Sequence, residues 1–254
     1  MHIVGKNTLL GKAFESTGNW LFQRRSYLPL FFIPLFALAA KNISYPWGSH
    51  ALDEVWEIFC LFISLCGLAI RVLTVGYVPK RTSGRNTRKG QVADTLNTTG
   101  MYSIVRHPLY LGNFFIFLGI SLFPRVWWYS FICILVYVVC YERIMFAEEG
   151  FLLKKFGSEY LAWTRQTPAI IPDLRLWKKP SFQLSFRTVL KREYLTLFAI
   201  TSIFTFMEII QDFVVQETLI LDWLWVGIFA FGLTTFAVLR VCRKRTNILH
   251  VSGR

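Results

Sequence analysis

Six long apolar stretches dominate this sequence and restrict the folds that it can adopt. They run over residues 27–42, 55–77, 109–123, 126–146, 194–211 and 221–239. Hydrophobic residues make up 54% of the 254 residues, more than a soluble domain of this size can bury. A helix needs about 20 residues to cross the hydrocarbon core of a bilayer. The sequence therefore predicts an all-α polytopic membrane helix bundle of about six transmembrane helices, with Pro29 and Pro34 kinking the first.

The distribution of basic residues predicts how this bundle is oriented. Of the 28 Lys and Arg residues, 24 lie before the first stretch, between the second and third, between the fourth and fifth, or after the sixth. The other four, Lys41, Arg71, Arg125 and Arg143, are expected to snorkel from the ends of spans. Loops rich in Lys and Arg stay in the cytoplasm, so both termini and both long connecting segments are predicted to be cytoplasmic.

The net charge of +13 and the five cysteines narrow the possible partners. In a soluble protein such a charge would suggest nucleic acid. Here the basic residues lie between apolar stretches, which favours contact with anionic lipid headgroups, and no nucleic-acid partner is predicted. The cysteines form no CxxC pair and four of them lie inside apolar stretches, so we predict no metal site.

An Arg-His-Pro sequence stands at the start of the third apolar stretch. Pro108 suits the first turn of a helix, which puts His107 at the cap, beside the positive end of the helix dipole. Arg106 and His107 can then hold a carboxylate or a phosphate at the membrane surface. The alternative is that Arg106 contacts headgroups and His107 only caps the helix.

Two adjacent carboxylates, Glu148 and Glu149, follow the fourth apolar stretch. We expect them at the end of a membrane helix, where the dipole already favours positive charge. Such a pair is costly unless it faces solvent, a cation or hydroxyl groups, and it indicates a site for a cation or for ribose hydroxyls. A solvated helix end is the alternative interpretation.

Taken in order, these motifs resemble one family of membrane enzymes. The pattern is Gly-x-Tyr…Arg-His-Pro-x-Tyr-x-Gly, one helical hairpin, then Glu-Glu…Phe-Gly-x-x-Tyr…Pro-x-x-Ile-Pro, over roughly residues 67–172. It is similar to the isoprenylcysteine carboxyl methyltransferase and phospholipid methyltransferase superfamily. The resemblance implies that S-adenosylmethionine binds, without a Rossmann domain, between the Arg-His-Pro segment and the Glu-Glu segment.

The resemblance also implies roles for individual residues. One wall of the cofactor pocket is assigned to Thr95, Leu96, Asn97 and Tyr102. Contact with the methionine moiety and the sulfonium is assigned to His107, Pro108, Leu109 and Tyr110. The partners of the amino or hydroxyl groups are Glu148 and Glu149. The predicted catalytic residues are Arg106, His107 and Arg143. In the family, the arginine that contacts the substrate lies about a turn before the acidic pair. Arg143 is one position away from that spacing, and Ile144 occupies the matching position.

The resemblance divides the chain into three parts. Residues 1–26 form an N-terminal cytoplasmic or interfacial segment, 27–193 the methyltransferase core, and 194–254 an additional two-helix hairpin with a basic tail. In the carboxyl methyltransferase branch the chain ends soon after the Pro-x-x-Ile-Pro motif. Because this chain continues, a prenylated protein is not assumed to be the substrate.

The predicted function is methyl transfer from S-adenosylmethionine to a lipid or isoprenyl-type amphiphilic acceptor, in a multi-pass membrane protein whose active site faces the cytoplasm. Two alternatives remain open. Membrane sterol reductases use NADPH and share a related Arg-His-x-x-Tyr segment and proline tail, but they match the acidic pair less well. The third possibility is a non-enzymatic membrane protein in which both motifs only cap helices.

Overall fold

The computed structural model describes residues 8–25, 27–45, 50–79, 85–87, 90–219, 221–246, 248–249 and 251. Within them the chain is almost entirely helical, with one short antiparallel strand pair. The helices are α1 (Leu9–Arg24), α2 (Phe32–Ala40), α3 (His50–Gly76), α4 (Met101–Ile104), α5 (Pro108–Leu122), α6 (Trp127–Gln166), α7 (Phe186–Gln216) and α8 (Trp223–Arg245). The strands are β1 (Arg85–Thr87) and β2 (Gly90–Val92), and 3-10 turns cover Leu28–Phe31 and Leu174–Leu176.

The predicted polytopic all-α fold is confirmed, and the helices divide into long and short ones. Among the described residues, α3, α6, α7 and α8 are long and apolar enough to cross a membrane. The other two predicted spans are shorter apolar helices, Leu28–Ala40 and α5, which has 15 residues. At 1.5 Å per residue, α5 covers about 22 Å of a hydrocarbon core about 30 Å thick.

The two prolines of the first stretch begin a short helix, so the expected kink in a long helix is wrong. Pro29 lies in the 3-10 turn Leu28–Phe31, which leads directly into α2. Pro34 is the third residue of α2, in the first turn, where a missing N–H leaves no intrahelical bond unmade.

Helices α3 and α5 pack against each other extensively, and small residues make their close approach possible. A Cβ at Gly67 would lie 2.5 Å from the backbone oxygen of Gly112. A Cβ at Gly119 would collide with the Cys60 carbonyl oxygen, and Ser64 Oγ in the same place donates to Ile116 O at 2.9 Å. Small residues of this kind let membrane helices approach backbone to backbone. This contact fixes α3 against the helix that follows the Arg-His-Pro segment.

Helix α6 has 40 residues and continues far beyond the fourth apolar stretch. Its only non-helical backbone is at Gly157, with φ 51°. The acidic pair is therefore in the middle of a helix, and the expectation that it ends a membrane helix is wrong. Hydropathy indicates where the chain leaves the lipid and does not indicate where a helix ends, because residues with high helix propensity can continue the helix in water.

The C-terminal helices α7 and α8 form a hairpin that packs on the core. Trp225 of α8 is 1% exposed and stacks on Phe204 of α7 at 5.9 Å between ring centroids, while Phe123 meets both rings edge to face. A Cβ at Gly232 would collide with the Thr201 side chain, so α8 lies directly on α7 there. The predicted boundary between residues 193 and 194 falls inside α7.

The four isolated basic residues behave differently from one another. Lys41 is exposed, as expected for a snorkelling residue. Arg125 is ion-paired with buried Asp53, which also accepts from Gln211 Nε2 at 2.9 Å. Snorkelling is therefore the wrong description of Arg125, because its charge is matched inside the protein. Arg71 is paired inside the protein as well, and its contacts belong to the cavity described below.

Part of the predicted basic cytoplasmic segment and of both termini lies outside the described residues. These residues include Lys6, Lys80, Arg81, Arg88, Lys89 and Arg254. The N-terminal segment is described from Thr8 onwards. Its helix α1 packs along α6, with Phe14 edge to face on Phe146 at 5.8 Å. The orientation of the termini stays a prediction.

Candidate functional site

A cavity of about 430 Å³ lies where the Arg-His-Pro segment, α3, α6 and the start of α7 meet. This volume is within the range of small-molecule sites, about 300–1,000 Å³. Most of the predicted site residues line it: Thr95, Leu96, Asn97, Tyr102, Arg106, His107, Pro108, Leu109, Tyr110 and Glu148. Two segments that are about 40 residues apart in sequence therefore face one space.

The structure does not bring the other two predicted residues into the cavity wall. Glu149 stands behind the lining and contacts Arg106 and His107. Arg143 is further away, with its guanidinium 3.4 Å from the centre of the Phe14 ring on α1. The structure thus gives Arg143 a contact between α1 and α6 and no contact with the cavity.

Arg106, His107 and the two glutamates form a charged network at the cavity floor. Arg106 Nη1 donates to Glu149 Oε1 at 2.7 Å, and His107 Nε2 lies 3.1 Å from the same oxygen. On its other side, His107 Nδ1 lies 3.7 Å from Glu148 Oε2. An imidazole with a carboxylate next to each nitrogen favours the doubly protonated form, in which both nitrogens donate.

The charge state of His107 follows from these neighbours. Burial by itself lowers the pKa of the imidazole, because the charged form loses water. The hydrogen bonds and charges of Glu148 and Glu149 outweigh burial, so the pKa of His107 lies above its ordinary value of 6.5. A cationic His107 keeps the adjacent carboxylates ionised, and the acidic pair can remain charged although Glu148 is buried.

Three polar atoms that face this region have no hydrogen-bond partner. They are Arg106 Nε, Tyr110 OH and Tyr160 OH, and all three residues line the cavity. An unpaired buried polar atom costs about 1–3 kcal/mol. Their grouping around one space is therefore an independent sign that a polar ligand completes their hydrogen bonds.

The proline-containing loop after α6 positions the Arg-His-Pro segment. Arg106 N donates to Pro168 O at 2.9 Å, and Asp173 N donates to Ile104 O at 3.0 Å. On the other side of the segment, Trp163 Nε1 donates to Tyr102 O at 3.2 Å. The loop with the Pro-x-x-Ile-Pro motif thus holds the backbone that carries Arg106 and His107 in place through hydrogen bonds.

A second wall of the cavity was not predicted from the sequence. Arg71 of α3 makes a two-pronged contact with Glu193 of α7, from Nε to Oε2 at 2.8 Å and from Nη2 to Oε1 at 2.9 Å. Its third donor, Nη1, reaches Asn113 Oδ1 at 2.5 Å. A charged residue inside an apolar stretch is itself a signal of a functional site, and this signal could have identified Arg71.

Further lining residues also went unassigned in the sequence. Tyr160 and Trp163 stand within and beside the Phe-Gly-x-x-Tyr motif, which was recognised without a role for them. The others are Arg25, Val75, Leu152, Thr188, Lys191, Arg192 and Arg243. No local pattern marks this last group, because α1, α7 and α8 reach the cavity only through packing.

Comparison with known proteins shows what the central part of the chain is similar to. Residues 58–159 match the family model described as phospholipid methyltransferase. Among curated proteins, the chain is 30% identical over 136 residues to the cobalt-zinc-cadmium resistance protein CzcN of Cupriavidus metallidurans, covering 53% of this chain and 59% of the relative. It is 30% identical over 139 residues to the nickel-cobalt-cadmium resistance protein NccN of Alcaligenes xylosoxydans xylosoxydans, covering 54% and 62%.

The match thus spans less than two thirds of either relative. No solved structure matches the chain. The matched segment contains the Arg-His-Pro sequence and the acidic pair, which contact each other at the cavity. The resemblance predicted from the motifs is confirmed over this segment: residues 58–159 are similar to the phospholipid methyltransferase family.

Proposed function

We propose that this chain is an S-adenosylmethionine-dependent methyltransferase that acts on an amphiphilic acceptor drawn from the membrane. One observation carries the proposal: a single cavity is lined by the Arg-His-Pro segment and by Glu148, which the family resemblance assigns to one cofactor. The family match supports the methyltransferase class. The identity of the cofactor and of the acceptor is the part that we propose.

The donors and acceptors of the cavity fit the charges of S-adenosylmethionine. Its ammonium and sulfonium groups are cationic, and Glu148 is a buried carboxylate that can face them. Tyrosine and tryptophan rings line the same space and stabilise a cation over their faces. The carboxylate of the cofactor needs a cationic partner, and Arg106 carries an unsatisfied Nε in this wall. The hydroxyl of Tyr110 lies beside Glu148 and that of Tyr160 beside Arg106, so both can contribute to binding its polar atoms.

The chain would act mainly by positioning the reactants. The cofactor supplies an already activated methyl group. Arg106, His107 and the acidic pair hold one another in a fixed arrangement, so little reorganisation is needed when a charged ligand binds. A cavity of this size holds the two reactants together, which favours a near in-line approach of the acceptor. An acceptor that is already anionic needs no base, whereas a protonated amine would have to lose its proton first.

The acceptor is proposed to be amphiphilic because helices that can cross a membrane form part of the cavity wall. Lining residues come from α3, α6, α7 and α8, all long and apolar enough to span. An acceptor with an apolar tail can therefore reach the cavity while its tail stays in lipid. The charge distribution supports a cytoplasmic position of the site, where the water-soluble cofactor is available.

The names of the two relatives concern metal resistance, which is a cellular outcome and not a reaction. Among the residues that the structure describes, no group of three or more His, Cys, Asp or Glu side chains could hold a metal ion. We propose methyl transfer as the activity of the shared segment because it matches the phospholipid methyltransferase family model.

Isothermal calorimetry on the detergent-solubilised protein tests this function. S-adenosylmethionine is titrated into the wild type, into Glu148→Ala, and into Glu142→Ala, a glutamate on the same helix that does not line the cavity. We expect saturable binding that Glu148→Ala loses and Glu142→Ala keeps. NADPH is titrated in parallel. Binding of NADPH alone would assign the chain to the reductase class, and absence of binding by either would favour a non-enzymatic membrane protein.

A further inference from the structure

Four buried carboxyl groups meet at the end of the helix bundle that is opposite the cavity. Asp53 and Glu57 lie one turn apart on α3, and Glu208 and Asp212 lie one turn apart on α7. All four side chains belong to residues that are between 1% and 3% exposed. About 20 Å of α3 separates Glu57 from the cavity wall. None of the four belongs to the segment 58–159 that matches the family, and methyl transfer gives them no role.

The two aspartates of this group are bound by neighbouring side chains. Asp53 is ion-paired with Arg125, which lies between α5 and α6, and it accepts from Gln211 Nε2 at 2.9 Å. Asp212 accepts from Tyr45 OH, before the start of α3, at 2.8 Å. Hydrogen bonds to an ionised carboxylate favour its charged form, so both aspartates can stay ionised although they are buried.

The two glutamates differ from each other in the donors that reach them. Both oxygens of Glu57 accept hydrogen bonds, Oε1 from Gln211 Nε2 at 2.6 Å and Oε2 from Trp225 Nε1 at 3.2 Å. Glu208 Oε2 is buried and accepts from no donor among the residues that the structure describes. In the same part of the chain, Gln211 Oε1 is also buried without a donor. An ionised Glu208 would therefore be a buried charge that lacks the hydrogen bonds needed to offset its lost hydration.

Glu57 and Glu208 are hydrogen-bonded to each other across the contact between α3 and α7. An ionised carboxylate is only an acceptor, so a hydrogen bond between two carboxyl groups requires a proton on one of them. Both oxygens of Glu57 already accept from other donors, whereas Glu208 Oε2 accepts from none. The hydrogen-bond pattern therefore puts the proton on Glu208.

We propose that Glu57 and Glu208 form a proton-binding site, and that the proton bound there holds the C-terminal hairpin on the core. The pair joins α3 to α7, and Trp225, which donates to the same Glu57, joins α8 to them. Loss of the proton leaves two adjacent carboxylates in a buried place, where like charges repel each other more strongly than in water. Because α7 also supplies Thr188 and Glu193 to the cavity wall, release of the hairpin loosens that wall as well.

A bound proton makes the stability of the fold depend on pH in one direction. The folded chain keeps a proton on this pair near neutral pH, whereas glutamates of an unfolded chain lose theirs near pH 4.3. Folding therefore takes up a proton, and stability falls as the pH rises. Each pH unit lowers the folding equilibrium constant about tenfold, which corresponds to a Tm lower by about 3–5 °C. The other titratable or charged side chains around the pair are Asp53 and Cys60 of α3, Asp212 of α7, Arg125 and Tyr45.

Thermal unfolding of the wild type and of Glu208→Gln between about pH 6 and pH 8 tests the proposal. The amide of the variant can donate to Glu57 as a protonated carboxyl group does, and it cannot ionise. We expect similar Tm values at the lower pH and a growing advantage of the variant above it, by about 3–5 °C per pH unit. The control Glu217→Gln, at the exposed end of α7, should follow the wild type. A difference between wild type and Glu208→Gln that is constant with pH would overturn the proposal.

Infrared spectroscopy gives a second measurement, which the wild type alone can decide. The carbonyl stretch of a protonated carboxylic acid is separate from the bands of a carboxylate. We expect this band in the wild type at neutral pH, its loss when the pH is raised, its absence at neutral pH in Glu208→Gln and its presence in Glu217→Gln. A wild type without the band at neutral pH would refute the bound proton even if no variant could be purified.

Hydrogen–deuterium exchange tests the structural consequence. The wild type and Glu208→Gln are compared at one pH, above the value at which the infrared band of the wild type is lost. Amides of residues 205–216 in α7 should exchange faster in the wild type, because its hairpin is released there, and amides at the contact between α3 and α5 should exchange alike. Equal exchange of residues 205–216 in the two proteins would contradict the role of the proton in holding the hairpin.

Discussion

The ion pair between Arg71 and Glu193 offers a quantitative test of how the C-terminal hairpin is attached to the core. The two side chains are 18% and 5% exposed, and they meet across 122 residues of sequence. Glu193→Leu removes two of the three hydrogen bonds of the guanidinium and leaves only the bond to Asn113. The positive charge of Arg71 then stays in place without its counter-ion.

The size of the loss follows from this geometry. Removing one partner of a buried ion pair costs about 3–5 kcal/mol, mostly because the other charge remains unpaired. Arg71 keeps Asn113 and some solvent contact, so the lower end, about 3 kcal/mol, applies. For a chain of this size, such a loss lowers Tm by about 6–12 °C. The double variant Arg71→Met with Glu193→Leu should recover most of that loss, since an apolar pair of similar volume replaces the ions.

The assay is thermal unfolding in detergent, followed by tryptophan fluorescence, for the wild type, both single variants and the double variant. The four Tm values complete a double-mutant cycle, which isolates the interaction between the two residues. A loss below about 1 kcal/mol in Glu193→Leu would mean that the pair is effectively solvated. A double variant as unstable as the sum of the singles would refute the claim that the unpaired charge causes the loss.

Three further predictions concern packing, pH and the role of one arginine. Gly119→Ala should lower Tm by an amount equivalent to about 1–3 kcal/mol, because its Cβ would collide with the backbone of α3. The control is Gly227→Ala on α8, where a Cβ meets nothing within 4 Å, and this variant should not lower Tm. Equal losses of Tm in the two variants would contradict the close contact between α3 and α5. The raised pKa of His107 means that its contacts with the two glutamates stabilise the fold fully below about pH 6.5 and weaken as pH rises through the folded-state pKa. The Tm difference between wild type and His107→Gln should therefore shrink as the pH is raised above about 6.5. A constant or growing difference would argue against a cationic imidazole. Arg143→Ala should lose about 0.5–2 kcal/mol of stability through its ring contact with α1 and leave the Kd for S-adenosylmethionine unchanged. Arg106→Ala should weaken that binding. A weakened Kd in Arg143→Ala would contradict the placement of Arg143 away from the cavity.

Much of the candidate site could be predicted because its residues belong to two local motifs. The Arg-His-Pro segment and the acidic pair are each contiguous in the chain, and the family pattern joins them across a single hairpin. The structure brings both to one cavity, and the roles assigned to their residues stay predictions. Arg143 could not be placed in the same way, because a shift of one residue rotates a side chain by about 100° around a helix.

The membrane character, the helical fold and the two segments at the cavity could be predicted from the sequence alone. Each of these depends on composition and order within a short stretch: transfer into lipid is a property of one segment at a time. The packed helices were needed to show that α6 continues through the acidic pair, that Arg71 meets Glu193, and that Lys191 and Arg243 complete the cavity. Those features depend on how helices distant in sequence pack, and hydropathy carries no information about which charged side chain will meet which.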